Sequence, residues 1–390
     1  MSFCVNCGTQ LNPGSLFCGK CGHRVQQQPQ NYSQQQQPQN YGQQQQSQSF
    51  LGGVSSYFGN TDNAPVKMNW KKLFSAVFQR HTKEEAEDIF ICGTAKTTPP
   101  LSKVSESWPT PWLYSRVFLC FLTTYFIIYL ICKEYGVPSG VTGMIFIGSF
   151  AVPVTTLILF MELNVFRNIS VYDVLKFFLV GGCASLLLTL FLFSLELVDT
   201  DLSTTWGAMM VGIIEEVGKL AIVYFLIKQV TSCNYILSAL LAGACVGAGF
   251  AAFESAGYAF MFFMDGGIES MTEVIYQRGL LAPGGHVAWA AVTGAALVIA
   301  KGNGPLTSAV FARGAFWKIF LIPVILHGIW DAPIMLEYPL VKCTALVVLI
   351  WMVVLILINM GLDQIKKLKN TPALSQNAEQ PANNMASSTF

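Results

Sequence analysis

Charge is scarce in this sequence. Aspartate, glutamate, lysine and arginine make up 12% of its 390 residues, about half the share of a soluble globular chain. With 53% hydrophobic residues and a mean hydropathy of +0.47, most of the polypeptide needs apolar partners, and its long apolar runs identify that partner as lipid. The few charges nearly cancel, leaving +1, so nothing points to bulk nucleic-acid binding. Histidine is scarcer still, at four. No charged-then-apolar leader opens the chain, so MSFCVNCGTQ is expected to stay in the cytoplasm. HExxH is absent, which removes the most direct zinc-protease signature.

The eleven cysteines form no disulfide framework. Cys92, Cys120, Cys132, Cys183, Cys233, Cys245 and Cys343 are scattered singly, mostly in apolar runs, and read as small core hydrophobes. Cys4, Cys7, Cys18 and Cys21 are different: two CxxCG knuckles able to place four thiolates around one tetrahedral Zn2+. Residues 1–24 are too few to fold on apolar burial alone, so structural zinc would hold them together. A redox dithiol pair is the competing reading. His23 is a bystander, since four sulfurs close the site.

Residues 25–64 follow as a Gln-rich segment (QQQPQNYSQQQQPQNYGQQQQSQS and its continuation), too polar to bury a core and expected to be a disordered linker. A juxtamembrane piece, 65–110, contains HTKEEAEDIF, in which Thr82 and Glu85 form a capping-box start. His81 beside it reads as a solvated surface residue. The tail, 363–390, reads as disordered.

Between them, 111–362 is expected to be an all-α polytopic membrane domain of about eight transmembrane helices. The apolar spans are 113–132, 141–161, 174–195, 206–227, 235–263, 284–300, 316–336 and 341–360, each near the length that crosses ~30 Å of hydrocarbon. Lysines and arginines mark alternate loops: Lys67, Lys71, Lys72 and Arg80, then Arg167 and Lys176, Lys228, then Lys301, Arg313 and Lys318, and finally Lys366, Lys367 and Lys369. The other loops carry Asp199 and Asp201, then Asp265, Glu269 and Glu273, with only Arg278 opposing. By the positive-inside rule both termini are cytoplasmic.

Several spans carry charges that should not be there. Glu215, Glu216 and Lys219 lie in the fourth, Glu254 in the fifth, His286 at the outer start of the sixth, and His327 and Asp331 in the seventh. A charge at mid-membrane costs about 2.5–3.5 kcal/mol on insertion scales, so intramembrane ionisable groups are functional by default. Glu215 and Lys219 share a helical face, as do His327 and Asp331, and Phe250 and Glu254. In the topology above, Glu215 and Glu216 sit ~14 Å below the outer surface at 1.5 Å per residue; Glu254, His327 and Asp331 fall in the same half, with His286 nearer the rim. Gly243, Gly247, Ala251 and Ser255 form a small-residue ridge that would press Glu254 against a neighbour, with span four the expected partner because Gly212 and Gly218 leave room. Buried salt bridges alone, Glu215–Lys219 and His327–Asp331, would leave Glu216, Glu254 and His286 without partners.

The ordered set EEVGK (215–219), FAAFE (250–254), PGGHVAW with His286, and HGIWD (327–331) resembles the PrsW family of intramembrane proteases, and FMELNVFRNIS (160–170) is similar to that family's second-span exit. The resemblance covers roughly 110–362. Lys219, Glu254 and Asp331 separate the chain from the related CAAX-processing and bacteriocin-immunity pattern EExxxR, FxxxH, HxxxN. It implies a peptidase that hydrolyses membrane-anchored protein substrates within the lipid bilayer, in the inner membrane of a prokaryote, with anti-sigma-factor destruction as the family's known type of signalling. The ribbon lies outside the resemblance and implies a cytoplasmic protein partner.

Two mechanisms stay open at this point. In one, Glu215 or Glu216 is a metal-free general base, His286 or His327 holds the water or the oxyanion, Lys219 offsets charge, Asp331 orients His327, and Glu254, beside Phe250, completes the polar cluster. In the other, the same glutamates and histidines hold a catalytic zinc. Two further classes share the features: a transporter or sensor using the buried groups as a relay, and a non-catalytic scaffold recruiting partners through the ribbon.

Overall fold

A computed structural model describes residues 2–3, 10–11, 57, 70–335 and 337–370. The chain divides into two units, 1–47 and 48–390. In the first, two short strands, β1 (Ser2–Phe3) and β2 (Gln10–Leu11), pair antiparallel with Ser2 opposite Leu11. Cys4, Cys7, Cys18 and Cys21 lie outside the described residues, as do the Gln-rich arm and the tail beyond 370.

The second unit is helical. Two short helices, α1 (Trp70–Ser75) and α2 (Lys83–Phe90), precede the membrane part. Thr82 and Glu85 form the expected capping box; hydrogen bonds from Thr82 and His81 hold the Glu85 carboxyl below its ordinary range. His81 departs from the solvated reading: it is stacked on Trp112 at 3.9 Å, and its two nitrogens lie 3.0 Å from Glu85 Oε2 and 2.8 Å from the Ala76 carbonyl. The indole face gives the imidazole an apolar seat, and the Ala76 carbonyl before it and the Glu85 carboxylate after it supply polar partners.

Eight helices follow: α3 (Leu113–Tyr135), α4 (Ser139–Leu163), α5 (Val171–Ser194), α6 (Thr205–Gln229), α7 (Ile236–Leu281), α8 (His286–Lys301), α9 (Gly314–Asp331) and α10 (Pro339–Asn370). Each predicted span is helical over most of its length, and α10 runs eight residues past the expected end of the membrane domain. Among the described residues, six stretches are long and apolar enough to cross a membrane. α6 is not one of them, because Glu215, Glu216 and Lys219 interrupt it; α7 and α8 form a single stretch, Ile236–Lys301.

That stretch holds the main departure from the sequence reading. The acidic segment expected to be an outer loop is helical. α7 breaks only at Gly267, whose φ of +70° is open to glycine and strained for other residues. The chain reverses there, so the returning arm places Arg278 beside Ser255 and packs Met271 with Ala259. Continuing in the same direction, it passes a single 3-10 turn, Ala282–Gly284, and re-enters helix at His286. His286 is therefore level with Gly247, well below the rim position expected for it: a Cβ at Gly247 would fall 2.2 Å from the His286 carbonyl oxygen.

The small-residue ridge serves this same contact. A Cβ at Gly243 would lie 2.0 Å from the Ala290 carbonyl, and one at Gly294 would lie 2.2 Å from that of Ala239. The ridge of α7 thus faces α8, correcting the expected partner α6. The reason is complementarity: α8 reads HVAWAAVTGAA, itself small on the facing side. The glycines of α6 have other tasks. Gly212 abuts Gly328 of α9, and Gly218 abuts Thr189 of α5.

The second-span exit has a structural use. Glu162 accepts hydrogen bonds from the backbone amides of Trp112 and Leu113 at 2.7 and 2.9 Å and of Tyr114 at 3.0 Å. A carboxylate thereby satisfies the unpaired amides that open α3. Asn164, Asn168 and Ser238 form a buried chain that ties the end of α4 to the start of α7.

Candidate active site

Four helices deliver the polar residues to one place. On α6, Glu215 and Glu216 sit one turn before Lys219, and all three are buried. The Lys219 ammonium lies 2.7 Å from Glu216 Oε1, 3.3 Å from Glu215 Oε2 and 2.9 Å from His286 Nδ1. It also rests over the Phe250 ring at 4.3 Å, so the aromatic adds cation–π attraction where water is absent. The close approach of Gly212 to Gly328 brings α9 against α6, and His327 follows: its Nδ1 is 2.9 Å from Glu216 Oε1 and its Nε2 is 3.6 Å from Glu215 Oε2. Asp331, one turn on, reaches His327 Nε2 at 3.3 Å.

His286, the first residue of α8, turns Nδ1 toward Glu215 Oε2 at 3.9 Å and Nε2 toward Glu254 Oε2 at 2.9 Å. Glu254 also binds Arg278 Nη2 at 2.5 Å. Trp289 is stacked on His327 at 4.3 Å and meets His286 edge-on at 5.1 Å, fixing the planes of both imidazoles. One side of the cluster is less enclosed: side-chain exposure falls from 27% at Arg278 to 16% at Glu254 and 9% at Glu215, and reaches 0% at Glu216.

Glu215, Glu216, Lys219, Phe250, Glu254, His286, His327 and Asp331 thus stand together. Arg278 was missed as a member. Read as a loop residue it had no reason to matter, and only the helical return after Gly267 carries it inward.

The donor set suits a divalent cation. Ligand atoms from Glu215, His286 and His327 all lie within 4.8 Å of one another. His286 gives Nε2 to Glu254 and His327 gives Nδ1 to Glu216. Metal-binding histidines are oriented in this way. The nitrogens on the shared side, His286 Nδ1 and His327 Nε2, meet Lys219 at 2.9 Å and Asp331 at 3.3 Å, partners that a bound ion would replace. Charge is compatible: four carboxylates (Glu215, Glu216, Glu254, Asp331) face two fixed cations (Lys219, Arg278), a negative balance that a dication, or protonation of the imidazoles, would offset. One further atom stands out. Glu216 Oε2 is buried and has no hydrogen-bond partner among the described residues.

Residues 171–358 match the model of the PrsW family intramembrane metalloprotease. Residues 3–25 match a zinc-ribbon domain. No curated protein matches the chain, and no solved structure does.

Proposed function

We propose that this chain, a membrane peptidase whose residues 171–358 match the PrsW family of intramembrane metalloproteases, holds a divalent metal through Glu215, His286 and His327. The observation that carries this reading is the convergence of those three ligand atoms from three helices, each histidine being held from behind by its own carboxylate. Once bound, the ion would supply Lewis acidity for the scissile carbonyl and lower the pKa of water. Zinc fits a site of one carboxylate and two imidazoles.

The remaining work falls to the chain's own groups. Glu216 is the proton carrier: Oε1 is anchored by Lys219 and His327, which leaves the unpartnered Oε2 to accept a proton. As water adds to the peptide carbonyl carbon, one of its protons passes to Glu216 Oε2; as the C–N bond breaks, that proton passes to the departing amine nitrogen. Lys219 holds both glutamates in place and offsets their charge. Asp331 stands beside Nε2 of His327, on the metal side of the ring, and Trp289 stacks on that imidazole. The metal-free glutamic reading takes Glu215 or Glu216 as the base, with His286 or His327 holding the water or the oxyanion; the convergence of one carboxylate and two imidazoles on a shared point favours the metal instead.

The substrates are membrane-anchored proteins, which reach the site from its less enclosed side near Glu254 and Arg278, and stress signalling through a membrane-anchored regulator is the expected setting. A prokaryotic inner membrane with both termini cytoplasmic is the orientation that the lysine and arginine distribution supports. The ribbon adds a cytoplasmic partner. Proteomic comparison of membrane-retained stubs in cells expressing wild type or Glu216→Gln tests the function: stubs present with wild type and missing with the variant support it, and identical stub populations overturn it.

A further inference from the structure

We propose that Arg278 is a positioning residue that fixes the ring nitrogen His286 presents to the site, acting through Glu254. The two residues flank the reversal at Gly267, on opposite arms of one helical hairpin. Arg278 Nε donates to Ser255 Oγ at 2.9 Å, its guanidinium lies over the Tyr258 ring at 4.5 Å, and Nη2 meets Glu254 Oε2 at 2.5 Å. That same oxygen is the one 2.9 Å from His286 Nε2. A guanidinium held at three points is a rigid fork, so Glu254 is held in one place rather than swinging between neighbours.

The consequence for His286 is chemical. An anchored carboxylate at Nε2 accepts a hydrogen bond, which requires the proton on Nε2. Nδ1 is then left with its lone pair, on the side of the ring that faces Lys219 and Glu215. The Lys219 ammonium, a donor with no acceptor capacity, sits 2.9 Å from Nδ1 and agrees with that tautomer. Without the guanidinium, Glu254 would be a half-buried carboxylate free to turn toward Lys219 or into the ligand cluster. His286 would lose its only partner at Nε2 among the described residues. Groups one hydrogen bond behind a ligand typically change metal affinity by about 10–100-fold; Arg278 is one step further out, so about tenfold is expected.

The metal consequence rests on the metalloprotease reading; the tautomer does not. The experiment therefore reads both on the full chain. The chain has four histidines, so 15N-histidine spectra are assignable by substitution. Wild type should show His286 as a single Nε2–H tautomer, Arg278→Gln a mixture, and Arg278→Lys, which keeps the charge without the fork, an intermediate. In chelator-buffered zinc, half-occupancy of the membrane site should need about tenfold more free zinc in Arg278→Gln. Glu254→Gln/Arg278→Gln should be no worse than Glu254→Gln alone. An unchanged His286 tautomer in folded Arg278→Gln, or additive effects in the double variant, overturns the proposal. If wild type holds no zinc beyond the ribbon's, the metalloprotease reading fails, and the tautomer still decides the role of Arg278.

Discussion

Nδ1 of His327 lies 2.9 Å from Oε1 of Glu216, across 111 residues of chain. Both side chains are buried, and the same oxygen takes the Lys219 ammonium at 2.7 Å. One carboxylate therefore orients an imidazole on α9 and a cation on its own helix, and its second oxygen stays free of partners among the described residues.

Two consequences separate Glu216 from Glu215. Glu216→Gln keeps the shape but cannot carry a proton, so cleavage should fall by at least 10²-fold, the low end for loss of a general base, while zinc still binds, at most about 10–100-fold more weakly because Glu216 also backs His327. Glu215→Gln and His327→Ala should instead lose both cleavage and the membrane-site zinc. Metal content and turnover measured on the same preparations check the assignment; loss of zinc in Glu216→Gln equal to that in Glu215→Gln would move Glu216 into the ligand set.

Lys219→Met should be costly for stability. The lysine is fully buried between two carboxylates and an imidazole, and removing one member of a buried ion pair costs about 3–5 kcal/mol. Thermal unfolding in detergent, followed by tryptophan fluorescence, should show a drop of several degrees, larger than for Glu215→Gln. A melting temperature equal to wild type would mean that the ammonium supports nothing.

How far the sequence reveals this arrangement depends on the kind of signal. Long apolar runs have few structural options in lipid, since every backbone group must be satisfied internally, so α3 to α10 are legible from hydropathy. So is the cluster, because charges such as Glu215 and His327 in apolar helices need one another. What hydropathy does not convey is register and direction. Asp265, Glu269 and Glu273 look like a loop because polar residues usually are one, yet they sit on a helical hairpin whose turn depends on Gly267 alone. That single misreading hides Arg278 and places His286 too near the rim. The ridge of Gly243 and Gly247 is equally visible, but small residues announce close packing without naming the partner, and α8 is selected by its own alanines.

The α7–α8 contact gives a graded test. A Cβ at Gly247 would meet the His286 carbonyl at 2.2 Å, whereas one at Gly257 would meet nothing within 4 Å. Gly247→Ala should cost at least the 1–3 kcal/mol typical of overpacking, displace the first residue of α8 and reduce cleavage. Gly257→Ala on the same helix should unfold and cleave like wild type. Equal behaviour of the two would show that α8 does not hold His286 through this ridge.

Metal removal must distinguish two zinc populations. The full chain should carry one ion at the ribbon and one at the membrane site, so elemental analysis of wild type should give two per chain. Cys4→Ser or Cys18→Ser should remove the first, leaving one ion and an intact membrane core, because 1–47 and 48–390 are separate units. In that background a strong chelator acts on the membrane site alone. Cleavage should fall in proportion to the remaining zinc and return when zinc is restored. The ion offsets two negative charges, so the stripped protein should also melt at lower temperature. Glu215→Gln, with one negative charge fewer, should show a smaller difference between its zinc-replete and stripped forms. Full cleavage by a sample verified to be free of metal would remove the metalloprotease reading and leave Glu216 as the base of a glutamic peptidase.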